Sequence, residues 1–109
     1  MTSDRDQIRL LNDELRIPHR GGRIVITRGI QALGAEALQR IDQAIASFDR
    51  FTKDNDPYGE HDFGAVEIGG HVVFFKIDYY DLDLLHLSPD PSNPSVTCRV
   101  MTMMLADEY

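Results

Sequence analysis

The sequence predicts an α+β fold in which two helices cover one face of a mostly antiparallel sheet of about four strands. Three observations lead to this prediction: a capped amphipathic segment near the start, a second amphipathic segment before the middle of the chain, and alternating apolar residues around a Gly-Gly pair. The predicted order of elements is α-β-α-β-β-β. At 109 residues, the chain is long enough for one modest core, so we expect a single domain over residues 1–109.

The first segment carries the signals of a helix followed by a strand. Ser3 can cap the helix, and Asp6 stands three residues later in the capping-box position. Apolar positions on one helical face follow: Ile8, Leu11 and Leu15. Pro18 ends the helix, because proline cannot continue the backbone hydrogen bonds. Residues 22–27, GRIVIT, are rich in β-branched side chains and predict a strand, with a bend at Gly29.

The second amphipathic segment predicts a helix over residues 34–51. Its apolar positions are separated by three and four residues: Leu38, Ile41, Ile45, Phe48 and Phe51. This spacing places them in one stripe along a helix. We therefore expect the helix to pack this stripe against the sheet.

Residues 63–80 predict a β-hairpin with Gly69 and Gly70 as its two-residue turn. That turn fixes which residues face each other and, continued outward, sets His61 opposite Asp78. Three prolines make residues 88–95, SPDPSNPS, a loop. Residues 96–105 begin with β-branched side chains and predict a strand, although their methionines and leucine also tolerate a helix.

Charge is distributed unevenly along the chain. The net charge is −7, but residues 1–50 sum to +1 and residues 51–109 to −8. Residues 16–28 hold four arginines and no acid: Arg16, Arg20, Arg23 and Arg28. Either the two halves pair their charges, or these arginines contact phosphate locally, since the overall acidity opposes other nucleic-acid binding.

Several classes of protein are excluded or disfavoured by composition. The apolar runs are too short for a membrane span, and the polar start, MTSDRDQ, does not resemble a secretion signal. A single cysteine, Cys98, allows neither an internal disulfide nor a zinc site built from several cysteines. A reducing cytoplasm is the expected location.

Residues 51–64, FTKDNDPYGEHDFG, concentrate acidic groups around one histidine. Asp54, Asp56 and Gly59 match the first, third and sixth positions of an EF-hand loop, but Ala65 stands where the closing glutamate is required. The sequence therefore excludes an EF-hand. Three interpretations remain open: a looser divalent-metal site, a histidine–carboxylate general base, and an ordinary polar turn. The metal ligands would be Glu60, His61, Asp62 and Asp78.

Several phrases resemble an uncharacterised family of small bacterial proteins that is catalogued as a domain of unknown function. The most specific phrases are DPYGEHDFG, residues 56–64, and KIDYYD, residues 76–81. LNDELR, GRIVITRGI, SPDPSNPS and CRVMTMMLADEY add to the resemblance, which covers nearly the whole chain. The resemblance implies a bacterial cytoplasmic protein whose gene is carried on plasmids or other mobile DNA. It implies no reaction and no ligand.

We expect a non-enzymatic module that binds another protein, in one version an antagonist of host defence whose carboxylates imitate nucleic-acid phosphates. The expected partner-binding surface is acidic: Asp54, Asp56, Asp81, Asp83 and Asp90. The alternative is a divalent-metal-dependent hydrolase that uses His61 and nearby carboxylates. Apart from such a divalent metal, no cofactor is expected. A nucleic-acid binder that uses the four arginines is a weaker third hypothesis, and no membrane partner is expected.

Overall fold

The computed structural model describes residues 3–109, and in this part of the chain three α-helices and four strands are formed. The helices are α1 (Asp4–Arg16), α2 (Arg28–Ala32) and α3 (Ala35–Ser47). The strands are β1 (Arg23–Ile26), β2 (Phe63–Ile68), β3 (His71–Tyr80) and β4 (Cys98–Leu105). Short 3₁₀ turns cover Pro94–Val96 and Ala106–Glu108.

The strands form one sheet in the order β1-β4-β3-β2. β2 and β4 both pair antiparallel with β3, while β1 pairs parallel with β4 at the edge of the sheet. The α+β class and the mostly antiparallel sheet are thus confirmed. The prediction of a strand rather than a helix near the end of the chain is also confirmed, because Cys98–Leu105 is extended and lies between two other strands.

The predicted hairpin register is confirmed as far as β2 extends. Gly69 and Gly70 have φ angles of 57° and 82°, and Ile68 pairs with His71. The continuation of this register to His61 and Asp78 is wrong. Beyond β2, one further hydrogen bond joins the Asp62 carbonyl to the N–H of Ile77, at 2.8 Å. His61 then adopts a left-handed backbone, with φ 57°, and the chain turns away from β3.

The first helix begins as predicted, whereas the second predicted helix is shorter than its stripe. The Ser3 hydroxyl accepts a hydrogen bond from the N–H of Asp6 at 3.1 Å, which caps α1. α3 ends at Ser47, and Phe48 is already extended. Phe48 and Phe51 still reach the core as an edge-to-face pair with centroids 4.8 Å apart. The five-residue α2, capped by Thr27, replaces the simple bend that was predicted.

The core lies between the three helices and one face of the sheet. Its fully or nearly fully buried members come from every helix and from the two central strands: Leu15, Ile30, Ile41, Ile45, Val73, Phe75, Ile77, Met101 and Met103. The alternation of β3 directs Val73, Phe75 and Ile77 to the same side, where the helices cover them. Across residues 3–109, none of the helices is long and apolar enough to cross a membrane.

Ile45 provides the test of this packing, because its side chain on α3 is completely buried in the core. Replacing it by alanine removes three carbon atoms and leaves a cavity, so Ile45→Ala should lower the free energy of unfolding by about 2–4 kcal/mol. Urea unfolding measures this loss. The exposed Gln43 lies on the same helix, and Gln43→Ala should change stability by less than about 0.5 kcal/mol. Equal effects of the two substitutions on the free energy of unfolding would contradict the packing of α3 against the core.

Candidate functional site

The polar side of α1 connects distant parts of the chain through Asn12, Asp13 and Arg16. Asn12 is fully buried, and its Nδ2 donates to the Glu60 carbonyl at 3.0 Å and to the Tyr79 hydroxyl at 2.8 Å. Its Oδ1 accepts from Nε of Arg99 at 2.7 Å. A single amide therefore joins α1 to the segment after α3 and to both central strands.

Arg99 on β4 is the largest of the fully buried side chains. Besides Asn12, its guanidinium donates to the Pro91 carbonyl, and its Cζ lies 5.2 Å from the centre of the Tyr79 ring. Burial lowers the pKa of Arg99 from its usual value. The Tyr79 hydroxyl donates to Oε1 of Glu60 at 2.8 Å, and burial raises the pKa of this phenol. Tyr79 is therefore held as a neutral donor.

Arg16 is the second buried arginine and determines where α3 ends. Its Nη1 donates to the carbonyls of Ile45 and Phe48, at 2.8 and 2.9 Å, and its Nη2 bonds Asp13 Oδ1 at 2.9 Å. These carbonyls are among those that a helix C-terminus leaves without partners. With only 3% of its surface exposed, Arg16 is structural, and its inclusion among phosphate-contacting arginines is wrong.

His61 faces α1 rather than Asp78. Its Nδ1 lies 2.9 Å from Oδ1 of Asp13, and its ring stacks on Phe51 with centroids 3.9 Å apart. The preceding turn is held by Asp56, whose carboxylate accepts from the N–H groups of Glu60 and His61 at 2.8 and 3.2 Å. Asp56 is 7% exposed, so its prediction as part of an outer acidic surface is wrong. The carboxylate is turned inward to hold the loop.

The four predicted metal ligands have different partners. Glu60 accepts from Tyr79, His61 contacts Asp13, and Asp78 contacts Lys76 Nζ at 3.1 Å. Asp62, the fourth, lines a cleft that Asp78 also lines but that Glu60 and His61 do not. Within residues 3–109, no three His, Cys, Asp or Glu side chains are grouped as metal ligands would be.

Asp62 lies in a cleft of about 590 Å³ between the 52–58 segment and the sheet. Lys76, Asp54 and Tyr58 line the same cleft. Burial, followed by the negative charge of neighbouring carboxylates, raises the pKa of Asp62 to about 6. The cleft therefore holds a carboxyl group that changes charge in mildly acidic solution, which is a property of acid–base groups in many functional sites.

The loop between β3 and the prolines exposes four leucines: Leu82 at 62%, Leu84 at 41%, Leu85 at 74% and Leu87 at 78%. We call residues 81–87 the leucine loop. The sequence analysis placed Asp81 and Asp83 of this loop on the acidic binding surface, but it did not predict a role for the leucines. The available signal was the density of leucine in a segment bounded by turn residues.

The leucine loop is fixed by its own backbone. Asp81 N–H donates to the His86 carbonyl at 2.8 Å, and Leu84 N–H donates to the Asp81 carbonyl at 3.1 Å. The Asp81 carboxylate accepts from Leu85 N–H at 3.0 Å, which lowers the pKa of this carboxyl group. Below the loop, Ser88 N–H donates to the Tyr79 carbonyl at 3.0 Å. The leucines are therefore presented by an ordered turn.

The remaining predicted site residues are at the surface. Asp54 and Asp83 are exposed, and Asp90 bonds the N–H and hydroxyl of Ser92 at 3.1 and 2.6 Å. Arg20 lies 3.6 Å from Glu14 in an exposed pair. Arg23 and Arg28 are exposed, and neither has a carboxylate within 4 Å in residues 3–109.

Together, the fold and these sites define a small α+β protein with a buried polar network beneath its first helix and an acidic, leucine-rich loop at its surface. The chain belongs to the protein family of unknown function DUF3768, whose family model matches residues 26–108. The predicted family resemblance is thereby confirmed. α1 lies before the matched segment. Neither a curated protein nor a solved structure matches the chain significantly.

Asn12 tests the buried network. Asn12→Ala leaves the Arg99 Nε, the Tyr79 hydroxyl and the Glu60 carbonyl each without one partner, so the free energy of unfolding should fall by about 2–4 kcal/mol. Gln7→Ala, on the same helix and partly exposed, should cost less than about 0.5 kcal/mol. Urea unfolding of both variants makes the comparison. A small loss for Asn12→Ala would mean that Arg99 finds another acceptor.

Asp62 predicts a pH dependence of stability. Its pKa rises from 3.8 to about 6 on folding, so its favourable contribution is complete below about pH 4 and is lost as the pH rises through about 6. Asp62→Asn should match the wild type near pH 4 and, allowing for solvent screening, exceed it by about 1 kcal/mol at pH 7. Urea unfolding at both pH values measures the difference. The exposed Asp54→Asn is the control, and an identical profile for both variants would contradict the assignment.

Proposed function

We propose that this protein is a non-enzymatic interaction module whose leucine loop inserts into an apolar pocket of a partner protein. The observation that carries the proposal is the exposure of four leucines on a turn that is already ordered. Scattered apolar side chains at a surface need no explanation, but contiguous ones characterise binding surfaces.

The energetics favour burial of the leucine loop by a partner. Transfer of one exposed leucine side chain from water to an apolar pocket is worth about 2 kcal/mol. Association also costs the freedom of any group that becomes ordered. Because backbone hydrogen bonds join Asp81 to Leu84 and His86, less ordering remains to be done when the loop binds.

The charges around the leucines indicate the chemistry of the partner. Asp81 and Asp83 alternate with Leu82 and Leu84, so the loop presents carboxylates beside apolar groups. A pocket with an apolar floor and a basic rim complements this pattern, and the rim would mainly affect the association rate and specificity. Asp54 and Asp90 lie outside the leucine loop and would add only long-range attraction.

Antagonism of a host-defence protein through charge mimicry of nucleic acid is the narrower form of the proposal. The acidic second half of the chain, with a net charge of −8, supports it. The leucines point to an additional apolar contact that phosphate mimicry does not require. The hydrolase alternative would need Glu60, His61, Asp62 and Asp78 to act on one metal, and their present contacts do not favour that arrangement.

A double substitution tests the role of the leucine loop in binding separately from the stability of the fold. Leu85→Gln with Leu87→Gln removes the two most exposed leucines, and should leave stability within about 0.5 kcal/mol of the wild type. It should abolish capture of the partner from the native host when the purified protein is used as bait. The control is Leu10→Gln with Val72→Gln, which changes two exposed apolar residues elsewhere, at 53% and 45% exposure.

Charge is tested separately with Asp81→Asn and Asp83→Asn, because asparagine keeps the side-chain acceptor for Leu85 N–H. This variant should bind the same partner with weaker salt dependence. If a partner is captured equally well by the wild type and by the double leucine variant, the leucine loop is not its binding site and the proposal fails.

A further inference from the structure

The free edge of β1 presents backbone groups to solvent. Among residues 3–109, β1 pairs only with β4, and the N–H of Thr27 donates to the Met103 carbonyl at 3.1 Å. Since backbone groups alternate in direction along a strand, Val25 also faces β4, whereas Ile24 and Ile26 direct their N–H and C=O groups outward. The edge is therefore a template for one more strand.

One of these outward groups already has a partner. The Ile26 carbonyl accepts from Nε2 of Gln31 at 3.3 Å, which agrees with its outward direction. For the two N–H groups and the carbonyl of Ile24, no acceptor or donor from residues 3–109 is found. Two donors and one acceptor thus remain for an added strand.

An apolar groove of about 470 Å³ lies beside this edge, between β1 and α3. Ile24, Ile26 and Leu38 line it, and Met103 lies at its floor. One wall is fixed by His19, whose Nε2 lies 2.8 Å from Oδ1 of Asp42 on α3. An added strand would direct every second side chain into this groove.

Positive charge flanks the edge at both ends. Arg23 begins β1, and Arg28 stands two residues after its end. Both are exposed, and no carboxylate of residues 3–109 lies within 4 Å of either. The two guanidinium groups therefore complement an acidic occupant rather than a basic one.

We propose that the β1 edge binds an extended acidic segment of another protein as a fifth strand of the sheet. Backbone hydrogen bonds to Ile24 and Ile26 would give affinity, apolar side chains of the segment would fill the groove, and its carboxylates would pair with Arg23 and Arg28. This surface is separate from the leucine loop, and the inference does not depend on the function proposed above.

A second copy of this chain is a poorer occupant. Antiparallel pairing of two β1 strands would bring Arg23 of one copy towards Arg28 of the other at both ends, and like charges at such distances repel. The acidic leucine loop of another copy is not extended, because its backbone is closed by the Asp81–His86 hydrogen bond. The charge pattern thus favours a different protein, rather than a second copy of this chain, as the occupant of the β1 edge.

The test uses the full chain labelled with ¹⁵N and a peptide in which glutamate and valine alternate over eight residues. A lysine–valine peptide of the same length is the charge control. The acidic peptide should bind at least about tenfold more tightly than the basic one. Amide exchange should slow at least about tenfold at Ile24 and Ile26 when it binds, with little change at Val25, which already faces β4.

Two further comparisons isolate the backbone and the charges. Methylation of alternate peptide nitrogens should abolish binding when it falls on the edge that faces β1, and should be tolerated on the other edge, because only one edge meets Ile24 and Ile26. Arg23→Gln with Arg28→Gln should weaken binding about fivefold or more, whereas Arg5→Gln with Arg50→Gln, an equal change in net charge, should not.

Three outcomes would overturn the inference. The first is equal binding of the acidic and basic peptides, and the second is unchanged exchange at Ile24 and Ile26. The third is slow exchange at these amides that appears without peptide and depends on protein concentration, which would make a second copy the occupant. Failure here leaves the leucine-loop proposal untouched, because none of these measurements involves residues 81–87.

Discussion

Two buried arginines, Arg16 at the end of α1 and Arg99 on β4, impose the constraint on which the arrangement of the other elements depends. A guanidinium group taken out of water must recover its hydrogen bonds, or the folded state becomes costly. Arg16 recovers them at both Nη atoms, from Asp13 and from the carbonyls at the end of α3, whereas its buried Nε finds no partner in residues 3–109. Arg99 recovers them from Asn12 and the Pro91 carbonyl. The end of α3, the approach to β4 and the position of α1 are therefore determined together.

The same network explains why residues that look catalytic in the sequence serve the fold. Asp13 is shared between Arg16 and His61, so the histidine ring is held flat on Phe51 rather than opposite a carboxylate of the sheet. Asp56 is occupied by backbone N–H groups of the turn that it closes. The polar groups of this acidic, histidine-containing loop thus hold the loop's own turn and bind it to α1. Asp56 and His61 are occupied by these structural contacts.

Local rules predicted much of the fold, and long-range contacts account for most of what they missed. The Ser3 cap and the Gly69–Gly70 register depend on neighbours a few residues apart, and both were correct. The end of α3 depends on Arg16, which lies 29 residues from Ile45, and the Asn12–Arg99 bond spans 87 residues. Contacts between residues so far apart leave no periodic pattern in the sequence from which they could be predicted. The predicted pairing of His61 with Asp78 was wrong for the same reason, because the actual partner of His61 lies on α1. The exposure of the leucines also depends on the whole fold, because it depends on which surfaces the other elements leave uncovered.

The location of α1 relative to the family match gives the polar network a further meaning. The match covers residues 26–108, so Asn12, Asp13 and Arg16 all precede the segment by which the chain is assigned to its family. Within that segment, Arg99, Tyr79 and His61 each have partners of their own, but each also makes one polar contact to Asn12 or Asp13, which the segment does not supply. The contact between α1 and the matched segment therefore resembles the contact between a ligand and its receptor: α1 supplies polar groups that bind to polar groups of the segment. In this chain, removal of α1 would therefore take away the Asn12 acceptor of the buried Arg99 and the Asp13 partner of His61.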